Sequence, residues 1–136
     1  PTGSASFTNP GDSPWEAVDG RHALTRYTQN RWPAYDPPNR EDWVEVDFGT
    51  QKVVERDAVF FYADGGGVAA PEDDRIEAWD GSEWREPPLH SRTPAEPLAW
   101  ALNQARLEPV ETSRLRVVLR HAAPSASGIA EIRIWE

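Results

Sequence analysis

The 136-residue sequence contains no cysteine and no methionine. Without cysteine there is neither a disulfide nor a thiolate metal site, so a secreted chain of this kind must rely on its core, on a metal held by oxygen ligands, or on both. The segment Pro1-Thr2-Gly3-Ser4 lacks the apolar stretch of a signal peptide. No apolar run approaches the ~20 residues of a membrane-spanning helix. The chain therefore reads as a module processed or excised from a larger protein. Basic residues are scarce: 14 Lys and Arg stand against 23 Asp and Glu, for a net charge of −9. That balance argues against nucleic acid, whose binders carry a basic stripe, and against anionic membrane surfaces. It suits hard cations, which take carboxylate and carbonyl oxygens, and it also keeps a protein soluble.

Helical periodicity is nearly missing too. Val44, Val46 and Phe48 alternate with Glu45 and Asp47, the period of a half-buried strand. Val53 to Tyr62 reads as a longer strand and Arg75 to Trp79 as another. Asp80-Gly81 is a tight-turn signal with Trp84 beyond it, predicting a hairpin. Leu115, Val117 and Leu119 form one face of a strand from Arg114 to Arg120, and Ile132 and Ile134 form one face of a strand from Glu131 to Trp135. Loops rich in Pro, Gly and Asp separate them at 34–40, at 63–71 and from Pro94 onward. One short helical turn is predicted near Leu98 to Gln104. With 13 Pro, 9 Gly and no strand–helix alternation, the chain is expected to be a single all-β domain over 1–136, a β-sandwich or jelly roll.

Catalytic chemistry leaves no spacing signal. His22, His90 and His121 are scattered, no His pair stands at i, i+4, and no Gly-x-Ser-x-Gly elbow occurs. Gly65-Gly66-Gly67 is followed by neither Lys-Ser nor Lys-Thr, so it reads as a turn between strands rather than a phosphate cradle. Many carboxylates are present, but nothing marks the facing pair that glycoside hydrolysis needs. The expectation is a binding domain and not an enzyme.

Several blocks carry a resemblance: Ala5-Ser6-Phe7-Thr8, Ala17-Val18-Asp19-Gly20, Asn30-Arg31-Trp32, Trp43-Val44-Glu45-Val46-Asp47-Phe48-Gly49, Asp80-Gly81-Ser82-Glu83-Trp84, Thr112-Ser113-Arg114-Leu115-Arg116-Val117 and Ser127-Gly128-Ile129-Ala130-Glu131-Ile132. In this order, over nearly the whole chain, they resemble the discoidin, or coagulation factor 5/8 type C, family. That resemblance implies a galactose-binding-like jelly-roll sandwich. The bacterial members implied are carbohydrate-binding modules, similar to family 32, joined to secreted glycoside hydrolases. The lack of cysteine places the chain nearer that branch than the disulfide-closed coagulation members. The partners expected are thus a polysaccharide or terminal sugar and a covalently linked catalytic domain, in an extracellular setting. A protein-interaction or structural spacer domain of the same fold is the alternative.

The resemblance further implies a structural calcium ion that ties an early loop to the last strand. Asp19 and Glu131 match the family's carboxylates, and carbonyls would come from near Glu16, from Arg21 or His22, and from Ala130. For the remaining ligand two registers compete, Thr25 and Asn30; the Asn30 register is preferred because Trp32 follows it, and an amide oxygen is an acceptable calcium ligand. For sugar, the rim-loop candidates are Tyr27, Tyr35 and Asp64, with Arg31 and Trp100 behind them, since aromatic rings and planar polar groups hold pyranoses. Galactose-binding relatives place an Arg where this chain has Asp64, which sets galactose itself in doubt. Trp32, Trp43, Trp79, Trp84 and Trp135, lying in or beside strands, are expected to be structural and mostly in the core.

Overall fold

A computed structural model describes residues 2–6, 14 and 39–135 and the backbone of 32–33. The elements are β1 (Thr2–Ala5), β2 (Trp32–Pro33), β3 (Glu41–Phe61), β4 (Asp73–Trp79), β5 (Trp84–Arg85), β6 (Leu89–Thr93), β7 (Leu102–Arg120) and β8 (Gly128–Trp135), all paired antiparallel. No α-helix forms among the described residues.

β3 and β7 pair along almost their whole length, from Glu41↔Arg120 to Phe60↔Leu102. The two strands expected at Val44–Phe48 and Val53–Tyr62 are therefore one strand. Its register breaks between Asp47 and Lys52 and again between Val54 and Arg56. Gly49 carries the first break at φ 75°, a conformation that favours glycine, and donates its N–H to Asp47 Oδ1 at 2.8 Å. Opposite it, the buried Thr112 Oγ1 lies 2.8 Å from Trp79 O and 2.7 Å from Arg114 O, holding the β7 side. Each half of the ribbon then recruits its own partners. Residues 41–47 and 114–120 lie with β1, β4 and β5 in one layer; residues 56–61 and 102–107 lie with β8, β2 and β6 in the other.

The core between the layers is aliphatic. Val44, Val46, Ile76, Leu115, Val117 and Leu119 come from the first layer; Val59, Phe61, Leu107, Ile129 and Ile132 come from the second. Period-two alternation puts their neighbours outside, which corrects the placement of the tryptophans. Trp43, Trp79 and Trp84 are half-buried on the outer face of the first layer, not in the core. Arg114 stands 4.5 Å from the Trp79 ring centre, and Arg116 stands 4.4 Å from Trp84 and 5.4 Å from Trp43. Trp135, also half-buried, carries Arg56 at 4.2 Å. For Trp32 only the backbone is described, paired with Ile129.

The Asp80-Gly81 hairpin forms as the sequence predicts. Gly81 sits at φ 101°, and Asp80 Oδ1 accepts from the N–H groups of Ser82 and Glu83 at 2.8 Å each. A hydrogen bond from Arg85 and those backbone donors hold the Asp80 carboxyl well below the usual carboxylate range. The helical turn expected at Leu98–Gln104 does not form: Leu102–Gln104 open β7. Asn103 decides this. Its buried amide nitrogen reaches the carbonyls of Val59 (3.1 Å), Leu98 (2.8 Å) and Ala101 (3.0 Å), and its oxygen accepts from Leu98 N–H at 2.9 Å. Pairing across to Val59 outweighs the weak helical preference of so short a segment.

Asp57 shares the inward face of β3 with Val59 and Phe61 and is 2 % exposed. Burial pushes its carboxyl up to about 7, against the pull of Arg92. Arg92, from β6, pairs with the Asp74 carboxylate and donates to Asp74 O at 2.9 Å, so one side chain joins the open edges of the two layers. A folded-state value above that of the unfolded chain means the native state binds the extra proton. This contribution is complete below the ordinary carboxylate range and is lost as pH rises through about 7. Unfolding free energy from urea titrations is expected to fall between pH ~5 and pH ~8. Asp57→Asn should flatten that slope and leave the protein more stable above pH ~7, by on the order of 2–4 kcal/mol. A slope unchanged in Asp57→Asn assigns it to another group.

Candidate functional site

Both ends of the β3–β7 ribbon reach the same rim of the sandwich. The loop from Tyr62 to Glu72 crosses it from one layer to the other, and the loop from His121 to Ser127 crosses back beside it. They are laced together: Ala69 N–H donates to Ala126 O at 3.0 Å, Ala126 N–H to Gly67 O at 2.8 Å, and Val68 bridges Ala126. Tyr62 N–H donates to Gly128 O at 2.9 Å, and Glu72 N–H to Arg120 O at 2.8 Å.

Asp64 opens the triple-glycine loop and shapes it. Its Oδ1 accepts from Gly66 N–H at 2.7 Å and Val68 N–H at 3.0 Å, while Gly65 supplies φ 74°. A Cβ on Gly66 would stand 3.4 Å from that oxygen. The side chain expected to touch ligand therefore also builds the loop that would present it. Trp100 lies on the same rim. Its N–H donates to Phe61 O at 3.1 Å, and its ring meets Tyr62 edge to face, centres 5.5 Å apart. Its backbone is left-handed at φ 60°, costly for a tryptophan and held by the Asn103-tied turn beside it. The structure thus brings Asp64 and Trp100 to one rim. Tyr27, Arg31 and Tyr35 lie outside the described residues.

The metal candidates divide in the same way. Glu131 and Ala130 are buried in β8, Glu131 paired in register with Phe60. Glu16, Asp19, Arg21, His22, Thr25 and Asn30 lie outside the described residues. Among the described residues no group of three or more His, Asp or Glu is placed to hold a metal ion. Glu131 offers a hard carboxylate on the closing strand, which supplies one or two of the six to eight oxygens that a calcium ion takes.

Beneath the rim the fold assembles a cluster that the sequence does not announce. His121 Nε2 lies 2.7 Å from Asp42 Oδ2, and His121 Nδ1 lies 2.9 Å from Ser127 Oγ. Asp42 Oδ1 accepts from Ser6 Oγ at 2.7 Å and Asn39 Nδ2 at 3.0 Å. With Nε2–H donated to the carboxylate, Nδ1 of a neutral ring accepts from the serine hydroxyl. A Ser–His–Asp trio suggests acyl transfer, but here Ser127 is fully buried and Asp42 likewise. A nucleophile needs approach and oxyanion donors. Together with Ser6, the trio serves as a latch joining the end of β1, the start of β3, the end of β7 and the start of β8. Its members escape sequence reading because His121 and Asp42 stand 79 positions apart.

The fold is the β-sandwich found in solved family 32 carbohydrate-binding modules. A chain of the Streptococcus pneumoniae β-galactosidase BgaA superposes with a TM-score of 0.89 at 24% identity, covering 100% of this chain and 92% of that one. The family 32 module of C. perfringens NanJ, solved with galactose, gives 0.73 at 15% identity, covering 99% and 93%. Chitosan-binding module 1 of a chitosanase/glucanase from Paenibacillus sp. IK-5 gives 0.71 at 17% identity, covering 99% and 94%. No protein-family model and no curated protein sequence matches the chain.

Burial pushes the Asp42 carboxyl up, but hydrogen bonds from His121, Ser6 and Asn39 outweigh it and hold it below the usual range. The lowered value means that stability from this group is present above the ordinary carboxylate range and is lost as pH falls through the depressed value. His121→Ala is expected to cost about 2–4 kcal/mol in urea unfolding by leaving a buried carboxylate short of a donor, and Ser127→Ala only about 1 kcal/mol. Equal losses in the two variants would contradict the latch.

Proposed function

We propose that this chain is a non-catalytic carbohydrate-binding module that holds an attached, secreted glycoside hydrolase on its polysaccharide. The observation that carries the reading is the rim: a half-buried Trp100 braced on Tyr62, beside a glycine loop whose bare backbone lets a ligand approach closely. The sandwich that carries this rim has structural neighbours that bind galactose, chitosan, 4,5-unsaturated mannuronic acid and pectin. Such a module works by proximity, raising the effective concentration of its enzyme at the substrate, with modest affinity at each shallow site. Its setting is extracellular, and a structural calcium ion joining the loop of Asp19 to Glu131, with Ala130, Glu16 and either Asn30 or Thr25, completes the reading.

Affinity electrophoresis against plant, bacterial and animal polysaccharides tests it. Retention on at least one is expected, weakened about tenfold by Trp100→Ala, and also by Asp64→Ala through loss of the loop's shape. Retention on none favours a structural spacer of the same fold.

The metal has a separate test. Chelation should lower the melting temperature by mass action, and Glu131→Gln should reproduce the loss. An unchanged melting temperature and no detectable ion would remove calcium from the proposal.

A further inference from the structure

The outer face of the second layer carries two cations that nothing nearby neutralises. Arg56 on β3 and Arg106 on β7 are direct partners in register. Side chains so opposed have Cβ atoms ~5 Å apart, and like charges placed there repel. Arg75, Arg85, Arg92, Arg114, Arg116 and Arg120 each form an ion pair with a carboxylate. Arg56 and Arg106 form none among the described residues, in a chain whose net charge is −9.

Trp135, the partner of Arg56 on β8, has that guanidinium 4.2 Å from its ring centre. The contact holds Arg56 in place and leaves its N–H donors unspent. Arg133 adds a third guanidinium to this face, 5.3 Å from the Phe60 ring. The pair borders an open cavity of about 230 Å³, with Trp135 and Glu55 as its other walls. Arg106 and Glu55 are exposed, and Arg56 and Trp135 are half-buried. Glu55 makes no ion pair with either arginine, so the cavity keeps a surplus of positive charge. It is also remote from the rim, because Arg56 precedes Phe61 by ~17 Å along β3.

Two guanidinium groups converging on one point select a particular anion. A carboxylate has two oxygens in one plane and is matched by a single fork. A sulfate or phosphate ester presents three terminal oxygens in three directions, enough to accept from both arginines at once. The cavity exceeds the volume of such a group and leaves room for the ring that bears it.

We propose that Arg56 and Arg106 form a second binding site, which takes the sulfate or phosphate ester of a substituted sugar: both guanidinium groups donate to the ester oxygens, and the ring lies in the cavity against Trp135. The choice of a sugar rests on the function proposed above; the choice of anion rests on the arginine pair alone.

The test is an NMR titration of ¹⁵N-labelled protein, at constant ionic strength, with glucose 6-sulfate, glucose 6-phosphate, glucuronic acid, glucose, inorganic sulfate and inorganic phosphate. At least one ester is expected to shift the Nε signals of Arg56 and Arg106 and the Trp135 indole, and the tighter of the two identifies the source of the oxyanion. Arg106→Gln should weaken that binding about tenfold, and Glu55→Gln should strengthen it about twofold. Arg85→Gln, which removes the same charge elsewhere, should leave it unchanged. Because Arg106→Gln also relieves the cross-strand repulsion, its melting temperature is expected to be no lower than that of the parent, which separates lost binding from lost folding. No shift at the pair with either ester overturns the proposal, as does equal binding of glucuronic acid. Inorganic sulfate or phosphate binding as tightly as the esters would mean an adventitious ion only and overturn the sugar ester. The esters report on the arginine pair and retention on polysaccharides reports on the rim, so either can fail without the other.

Discussion

Everything in this molecule depends on one antiparallel ribbon that is too long to stay in one layer. β3 and β7 exchange hydrogen bonds from Glu41↔Arg120 to Phe60↔Leu102. With side chains alternating at a period of two, a straight ribbon would leave one aliphatic face against water. Bending at Gly49 and Thr112 turns the faces of the two halves toward each other, so Val44, Leu115, Val117 and Leu119 meet Val59 and Phe61 in a shared core. The ends of the ribbon then come to the same rim, where two loops cross side by side and are laced together by backbone hydrogen bonds.

The same alternation explains the outer face. Trp43, Glu45, Glu77, Arg114 and Arg116 occupy positions next to buried residues along their strands, and Trp84 joins them through its pairing with Trp79. Arg116 is held by Glu77 on one side and lies over Trp84 on the other. Burial raises the Glu77 carboxyl, and hydrogen bonds from Arg116 and Arg75 more than reverse it. Each exposed ion pair contributes about 0–1 kcal/mol and each cation–π contact about 0.5–1 kcal/mol. Their joint effect is to cover the aromatic rings with guanidinium groups.

Polar groups inside the sandwich divide by whether they are satisfied. Asp42 has donors from three residues, and it fixes the rim from below. Asp57 has Arg92 nearby but an oxygen without a hydrogen bond among the described residues, and burial raises its carboxyl to about 7. The first arrangement is a structural latch. The second leaves an acceptor facing a small pocket on the flank.

Much of the fold was legible in the sequence because strand alternation and turn chemistry are local. The faces of Val44–Phe48, Arg75–Trp79 and Leu115–Leu119 and the hairpin at Asp80-Gly81 all follow from neighbouring residues. The candidate site was legible only in part: Asp64 and Trp100 meet at one rim, while Asp64 is spent largely on its own loop. What the tertiary structure alone decided is non-local. The single ribbon, the extended start of β7 at Asn103, the outward tryptophans and the His121–Asp42–Ser127 latch each depend on partners distant in sequence. The sequence by itself determined which side of each strand is apolar; the bend of the ribbon decided what each side faces, because a period of two records alternation but not the layer to which a strand belongs.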